Sequence, residues 1–213
     1  MNNHQELKII LSPLIYFILI IIISTILALI ISSIPFVYNI FRGDYILNQH
    51  IKEVVGNKTN DAEIASALLT WSHENIIYPN EGDKISFLGL NFALYRVQNR
   101  TKIFFREVPA SWTIKMKIGR CGEDARYFVE VMNKLGYNAR MIRPTGWDHS
   151  WAEYYTSTGI KVILDPSSDQ LILNKTKWME CKNVTKIEAL YLNGTKEDIT
   201  LEYLNENNNN KTC

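Results

Sequence analysis

The N-terminal part of the chain contains one long apolar segment. Between residues 9 and 34 no position is charged, and 20 of these 26 positions are Ile, Leu, Ala, Phe or Tyr. About 20 helical residues span the hydrocarbon core of a bilayer, whereas the apolar stretch of a cleaved signal peptide is typically about 7 to 15 residues long. The pattern therefore predicts a single uncleaved transmembrane helix over 9–34, after a short tail over 1–8.

After this segment, the pattern predicts a connector and then a helix. Pro35 is expected to end the apolar helix, and the mixed residues of 35–60 are expected to form the connector. Asn60, followed three residues later by Glu63, has the pattern of a helix N-terminal cap. Apolar residues then recur on one helical face, which predicts a helix over 61–75.

A second, central helix is predicted from Glu123, and Gly136 stands where its C-terminal cap is expected. Its apolar residues recur at three- and four-residue spacing: Ala125, Phe128, Val131, Met132 and Leu135. Three short segments separated by turn-rich sequences come next, over 137–143, 149–155 and 161–164. We expect them to be antiparallel strands, and the fold class to be α+β.

The remaining segments have weaker patterns. The region 84–118 is expected to be irregular, and 178–203 to add one or two strands. The Asn-rich segment 205–213 has the composition of a disordered tail. We therefore expect a folded domain over 61–175 and a C-terminal extension over 176–204.

The overall composition excludes several classes of protein. Hydrophobic residues make up 46% of the chain and charged residues 21%, with a formal net charge of +1. Nucleic-acid-binding surfaces usually have a basic excess, so nucleic acid is not an expected partner. The same values exclude collagen, long coiled coils, polytopic membrane proteins and disulfide-dense small proteins.

The side of the membrane on which the domain lies is indicated by asparagine sequons. The charges that flank the apolar segment are balanced and do not decide the orientation. Asn-x-Thr occurs six times where composition predicts about two or three, and such sequons accept glycans only in a translocated chain. An Asn-rich composition would also raise the count, but we expect an extracytoplasmic glycoprotein. The sequons begin at Asn57, Asn99, Asn174, Asn183, Asn193 and Asn210.

Cys121 stands between two glycines, immediately before the central helix. A helix N-terminus favours negative charge, so this position favours the nucleophilic thiolate form of a cysteine. The flanking glycines allow other atoms to approach the sulfur closely. The alternative interpretation is a small apolar core residue, although such cysteines usually lie within an apolar stripe. Cys121 is therefore a candidate nucleophile.

Two downstream residues are candidate partners of this thiol. Acyl transfer by a thiolate needs an imidazole that takes and returns its proton, and a polar group that orients the ring. His149 lies in a predicted strand, on the same face as Trp151 and Glu153, so its ring could face the start of the helix. Asp165 follows the next strand and could bind the far ring nitrogen. Asp148 is expected to point to the opposite face.

These motifs together resemble the transglutaminase-like superfamily of papain-like thiol enzymes. The resemblance rests on residues 119–123, on the Leu-Gly-Tyr-Asn-Ala-Arg sequence that ends the helix, on 148–153 and on 164–166. It covers about residues 61–168, roughly half of the chain, and includes the upstream helix with Trp71 and the stretches 75–78 and 109–112. The block around the cysteine is especially similar to that of peptide:N-glycanases.

The resemblance implies a papain-like core, in which a helix with an N-terminal cysteine packs on a small antiparallel sheet. It also implies a triad with Cys121 as nucleophile, His149 as general base and then acid, and Asp165 as the residue that orients the imidazole. The reaction class would be acyl transfer from an amide through a thioester. The backbone N–H of Cys121 would be one oxyanion donor. Trp112 is a candidate second donor by analogy, and its alternative role is a wall of the cleft or a core residue.

No metal or other cofactor is expected. The chain has no acidic loop of the calcium-binding kind, no CxxC motif and no ligand spacing among its four histidines. Cys181 and Cys213 could form a disulfide in an oxidising compartment or could remain unpaired.

The leading hypothesis is a single-pass cysteine hydrolase of the cell membrane that acts on an amide or isopeptide bond in a peptide or protein substrate, such as one from the cell envelope. Transamidation, which crosslinks protein glutamines to amines, is an alternative. A catalytically inactive binding or scaffold module is another. The oligomeric state is left open.

Overall fold

The computed structural model describes residues 3–79, 84–86, 92–97, 100–167 and 184–204. Cys181, Cys213 and the tail predicted over 205–213 lie outside these ranges, as do four of the six sequon asparagines. The two sequon asparagines inside them, Asn57 and Asn193, are both exposed.

The first helix, α1, spans Asn3–Val54 and contains both Pro13 and Pro35. The prediction that Pro35 ends the apolar helix is therefore wrong. A proline inside a helix removes one N–H donor and costs about 3 kcal/mol or more. Packing along the second half of α1 opposes this cost, because Pro35 itself is buried and Ile31 packs against Phe105 and Val108.

The two halves of α1 differ in their surroundings. The apolar side chains of the first half are mostly exposed, and α1 is long and apolar enough to cross a membrane. The second half lies on the folded domain, where Leu47, His50 and Val54 contact it and Val55 follows in the core. The predicted connector thus consists largely of helix that is packed on the domain.

The helix α2 spans Asp61–Asn75, as predicted. The Asn60 side chain caps it by accepting hydrogen bonds from the backbone N–H groups of Ala62 and Glu63. Ile64, Ala65 and Leu68 form its buried face.

The region from 84 to 118 contains regular structure, contrary to expectation. Three antiparallel strands, β1 (Lys84–Ser86), β2 (Phe92–Val97) and β3 (Arg100–Phe105), form a small sheet in chain order. The helix α3 (Ala110–Met116) comes next. Aromatic and β-branched residues favour strands here, but charged and polar residues interrupt the alternation on which the prediction depended.

The central helix, α4, spans Cys121–Lys134 and packs against a five-stranded antiparallel sheet. The sheet order is β6-β5-β4-β7-β8. Its strands are β4 (Asn138–Pro144), β5 (Trp151–Tyr155), β6 (Lys161–Leu164), β7 (Ile187–Leu190) and β8 (Lys196–Asp198). The α+β prediction is confirmed, and the strands expected within 178–203 belong to the same sheet as β4.

A buried polar network ties the last helix, α5 (Thr200–Leu204), to this sheet. The Arg140 Nε group donates to Glu153 Oε2 at 2.9 Å, and the Tyr203 hydroxyl donates to the other oxygen of the same carboxylate. Trp151 Nε1 donates to Tyr203 at 2.9 Å. Every buried charge in this network has a partner. The network therefore fixes the packing of α5 on β4 and β5.

Candidate active site

Cys121 is the first residue of α4, as the sequence predicts, and its side chain is buried. The turn before it is held by Glu123, whose carboxylate accepts the backbone N–H of Arg120 at 3.1 Å and that of Glu107 at 2.8 Å. Burial raises the pKa of Glu123, while these backbone donors oppose the shift. The result is a cysteine on a turn that two separate segments keep in place.

His149 and Asp165 form a hydrogen-bonded pair. The distance between His149 Nε2 and Asp165 Oδ2 is 2.7 Å, and the other oxygen of Asp165 accepts the Ser167 hydroxyl and backbone N–H. The Asp165 side chain is almost fully buried at the end of β6. Since Nε2 is bonded to the carboxylate, a reaction with a neighbouring group would use the other ring nitrogen, Nδ1.

The backbone position of His149 differs from the prediction. The strand β5 begins at Trp151, so His149 lies in the β4–β5 connection and does not share a strand face with Glu153. The β4–β5 pairing ends at Ile142 and Trp151, shortly before Pro144, which cannot donate a strand hydrogen bond. The connection nevertheless passes beside the cysteine, because the Cys121 thiol donates at 3.8 Å to the backbone oxygen of Asp148, the residue before His149.

The Asp148 carboxylate faces two arginines. Asp148 is largely exposed and pairs with Arg106 at 2.9 Å and with Arg120 at 3.5 Å. The carboxylate bonded to His149 is instead that of Asp165, which is the residue that the sequence analysis proposes as the partner of the imidazole.

Trp112 lies on α3, away from the cysteine. Its ring meets Tyr38 of α1 at 5.5 Å and Phe105 at 5.6 Å between centroids. The structure therefore favours its alternative role as a packing residue over that of an oxyanion donor.

Tyr78 is a site residue that the sequence interpretation did not assign. A backbone bridge between Ile77 and Ile118 carries it from the end of α2 to the turn before Cys121. There the Tyr78 hydroxyl lies near Cys121, and the Arg120 guanidinium lies 5.7 Å from the ring centroid. Burial and the nearby Cys121 sulfur raise the pKa of Tyr78, so its hydroxyl keeps its proton at neutral pH. The sequence signal that could have identified Tyr78 is its position in the 75–78 stretch, which is part of the family resemblance.

Cys121 and His149 line a single open cavity of about 450 Å³. Its walls come from the β3–α3 connection, the start of α4, the β4–β5 connection, and strands β4, β7 and β8. The lining residues are Arg106, Glu107, Arg120, Cys121, Gly122, Glu123, Arg126, Met141, Arg143, Trp147, Asp148, His149, Ser150, Leu190 and Lys196. We call this cavity the cleft.

Asp124 is a buried carboxyl group one helical turn after Cys121. Its side-chain oxygen Oδ1 has no hydrogen-bond partner among the residues that the structure describes. Gly119 leaves room for it, because a Cβ at Gly119 would lie 3.1 Å from Oδ1. Burial, followed by the charges of Glu123 and Asp165, raises its pKa to about 8. The group is therefore a neutral acid at pH 7.

The Asp124→Asn variant is expected to lose part of the pH dependence of stability. The native protein holds a proton here between pH 3.8 and about 8 that the unfolded chain releases, so wild-type stability falls as pH rises through this window. One such group changes the free energy of unfolding by at most about 1.4 kcal/mol per pH unit. Thermal unfolding in detergent at several pH values, followed by tryptophan fluorescence, should show a flatter profile for the variant. Equal slopes for the two proteins would contradict the assignment.

The sequence profile of the transglutaminase-like superfamily matches residues 48–181, which is more than half of the chain. The chain belongs to the transglutaminase-like superfamily. The resemblance inferred from the motifs is thereby confirmed. The transglutaminase-like match begins inside the second half of α1 and includes Cys121, His149 and Asp165.

Two solved structures are similar to this transglutaminase-like chain. A candidate cysteine protease from Cytophaga hutchinsonii is 20% identical, with a TM-score of 0.40, over 58% of this chain and 37% of that one. A candidate protease from Parabacteroides distasonis is 14% identical, with a TM-score of 0.44, over 73% of this chain and 27% of that one. The chain thus matches well under half the length of either protein. A comparison with curated proteins gives no match.

Proposed function

We propose that this protein is a membrane-anchored cysteine hydrolase that cleaves an amide or isopeptide bond through a thioester on Cys121. The observation that carries the proposal is the His149–Asp165 pair, bonded at 2.7 Å, in the same cleft as a cysteine at a helix N-terminus. A nucleophile, a base and a group that orients the base are the parts that thiol-dependent acyl transfer requires.

The first half-reaction forms the thioester. His149 Nδ1 takes the thiol proton, and Cys121 Sγ bonds to the carbonyl carbon of the substrate. The resulting oxyanion accepts hydrogen bonds from the Cys121 backbone N–H and the Tyr78 hydroxyl. When the C–N bond breaks, the imidazolium returns its proton to the leaving amine, while Asp165 holds the ring in one tautomer.

The second half-reaction releases the acyl group. His149 takes a proton from water, the oxygen attacks the thioester carbon, and the C–S bond breaks to regenerate the thiol. The leaving thiolate recovers its proton from the imidazolium. A primary amine in place of water would give transamidation by the same steps.

The chain also suggests where this chemistry takes place. The apolar half of α1 is long enough to span a bilayer, and its second half packs on the domain, which supports anchoring at the cell membrane. The exposure of Asn57 and Asn193 is compatible with glycosylation and with an extracytoplasmic domain. Proteolysis of the domain on intact cells that express the full chain tests this orientation.

The experiment that tests the function follows acyl transfer directly. The full chain in detergent micelles is mixed with p-nitrophenyl acetate, and intact-mass spectrometry records acetylation of Cys121, with Cys121→Ala as the matched control. Adding dansylcadaverine shows whether the acyl group passes to water or to the amine. Release of acetate supports hydrolysis, and acetylated dansylcadaverine supports transamidation. A folded protein whose Cys121 is never acylated would instead be an inactive binding module.

A further inference from the structure

The cleft has an excess of positive charge that the chain as a whole lacks. Its lining contains five cationic side chains against three carboxylates, although the whole chain has 23 Lys and Arg residues and 22 Asp and Glu residues. The cationic residues are Arg106, Arg120, Arg126, Arg143 and Lys196. A local excess inside a concave surface acts on a ligand more strongly than the same charges on an open surface.

The three cleft carboxylates are already bonded within the protein. Glu107 accepts from Arg143 at 3.0 Å, and Asp148 pairs with Arg106 and Arg120. The buried Glu123 accepts two backbone N–H groups. None of these carboxylates is left as the natural partner of a cationic substrate group.

Arg126 is paired with Glu130, and the Arg120 side chain is only 13% exposed, but three of the five cations keep donors that a ligand can reach. A guanidinium carries five N–H donors, and Arg143 uses one of them on Glu107 while its side chain remains 33% exposed. Arg106 is 47% exposed and likewise donates to a single carboxylate oxygen. Lys196 is exposed on β8 and forms no salt bridge within the described part of the chain. Guanidinium and ammonium groups of this kind bind carboxylates through charge-assisted hydrogen bonds.

These groups come from separate elements that line the same cleft as the reacting cysteine. Arg106 belongs to the β3–α3 connection, whereas Arg143 ends β4 and Lys196 begins β8 on the sheet side. Met141 and Leu190 add an apolar surface to the same lining. An acyl donor seated over Cys121 would therefore meet cationic groups from more than one wall of the cleft.

We propose that the cleft selects acidic acyl donors, namely peptides with a carboxylate within about one residue of the scissile amide. The inference rests on the proposed function and deepens it by naming the substrate class. Arg143 and Lys196 are the specificity residues to alter, because Arg106 and Arg120 share Asp148 as a partner, and replacing either of them would also change the surroundings of that carboxylate.

The test uses three peptidyl acyloxymethyl ketones that differ only in a Glu, Gln or Lys side chain next to the reactive carbonyl. The rate of Cys121 labelling is measured on the full chain in uncharged detergent micelles, at low and high salt. The Glu probe is expected to react about tenfold faster than its Gln isostere, with the Lys probe slowest. The Glu-to-Gln rate ratio should fall at high salt, because ions screen exposed charges.

Variants assign this preference to the cleft. Arg143→Gln combined with Lys196→Gln should bring the rate ratio of the Glu probe to the Gln probe close to one. Arg143→Glu combined with Lys196→Glu should make the Lys probe react fastest. Lys58→Gln combined with Lys134→Gln removes the same charge at exposed sites outside the cleft and should keep the wild-type ratio.

The outcomes separate the two proposals. Equal wild-type rates for the Glu and Gln probes at low salt would overturn the acidic-substrate inference, and so would a ratio unchanged in the cleft variants. If labelling depends on probe charge but not on His149, the catalytic proposal fails while the charge preference of the cleft stands.

Discussion

The His149→Ala variant is expected to hydrolyse an acyl donor about 10⁴-fold more slowly than the wild type, because it loses the group that takes and returns the thiol proton. Its labelling by iodoacetamide should also slow at neutral pH, since alkylation needs the thiolate as well. Stopped-flow acylation and timed alkylation of the full chain measure the two rates.

Two aspartates provide the matched comparison for this variant. Asp165→Ala should also slow acyl transfer strongly, because the imidazole loses the partner that fixes its tautomer. In the wild type, Asp165 Oδ2 lies 2.7 Å from His149 Nε2. Asp148→Ala removes a carboxylate that is next to the same histidine in sequence but is bonded to arginines. This variant should slow acyl transfer less than tenfold. The reverse order of these two effects would contradict the assignment of the base and its partner.

The elements that the sequence predicts well are those defined by local signals. Asn60 caps α2, and the apolar spacing that begins at Ala125 buries one face of α4. Cys121 could be placed at a helix start because caps and periodicity depend only on neighbouring residues. The His149–Asp165 pair could be predicted because antiparallel strands bring their ends together.

The missed features depend on contacts between distant segments. The helix α1 continues through Pro35, where Ile31 packs against Phe105, about 70 residues later in the chain, and Pro35 itself is buried. No local rule for proline contains that packing. The small sheet β1–β3 forms although its residues alternate poorly. Single-segment patterns cannot include tertiary contacts of this kind.

The role of Tyr78 has the same origin. A tyrosine followed by a proline after a helix indicates only a turn. Trp112 was the residue that the family resemblance suggested as second oxyanion donor. The bridge from Ile77 to Ile118 decides between them, because it brings Tyr78 close to Cys121. Trp112 instead packs between α1 and β3, where its ring stabilises the attachment of the long helix.

The Tyr78→Phe variant separates a role in the oxyanion site from a role in packing. Loss of one oxyanion donor costs about 10² to 10³ in kcat, and we expect that loss with little change in KM because the bond strengthens only in the transition state. Iodoacetamide alkylation of Cys121 forms no tetrahedral oxyanion, so its rate should stay near that of the wild type, unlike in His149→Ala. Trp112→Phe, which keeps an aromatic ring in the α1 contact, should not reduce acyl transfer selectively. If Tyr78→Phe slowed alkylation and acyl transfer equally, Tyr78 would instead act on the thiol or on the fold of the turn.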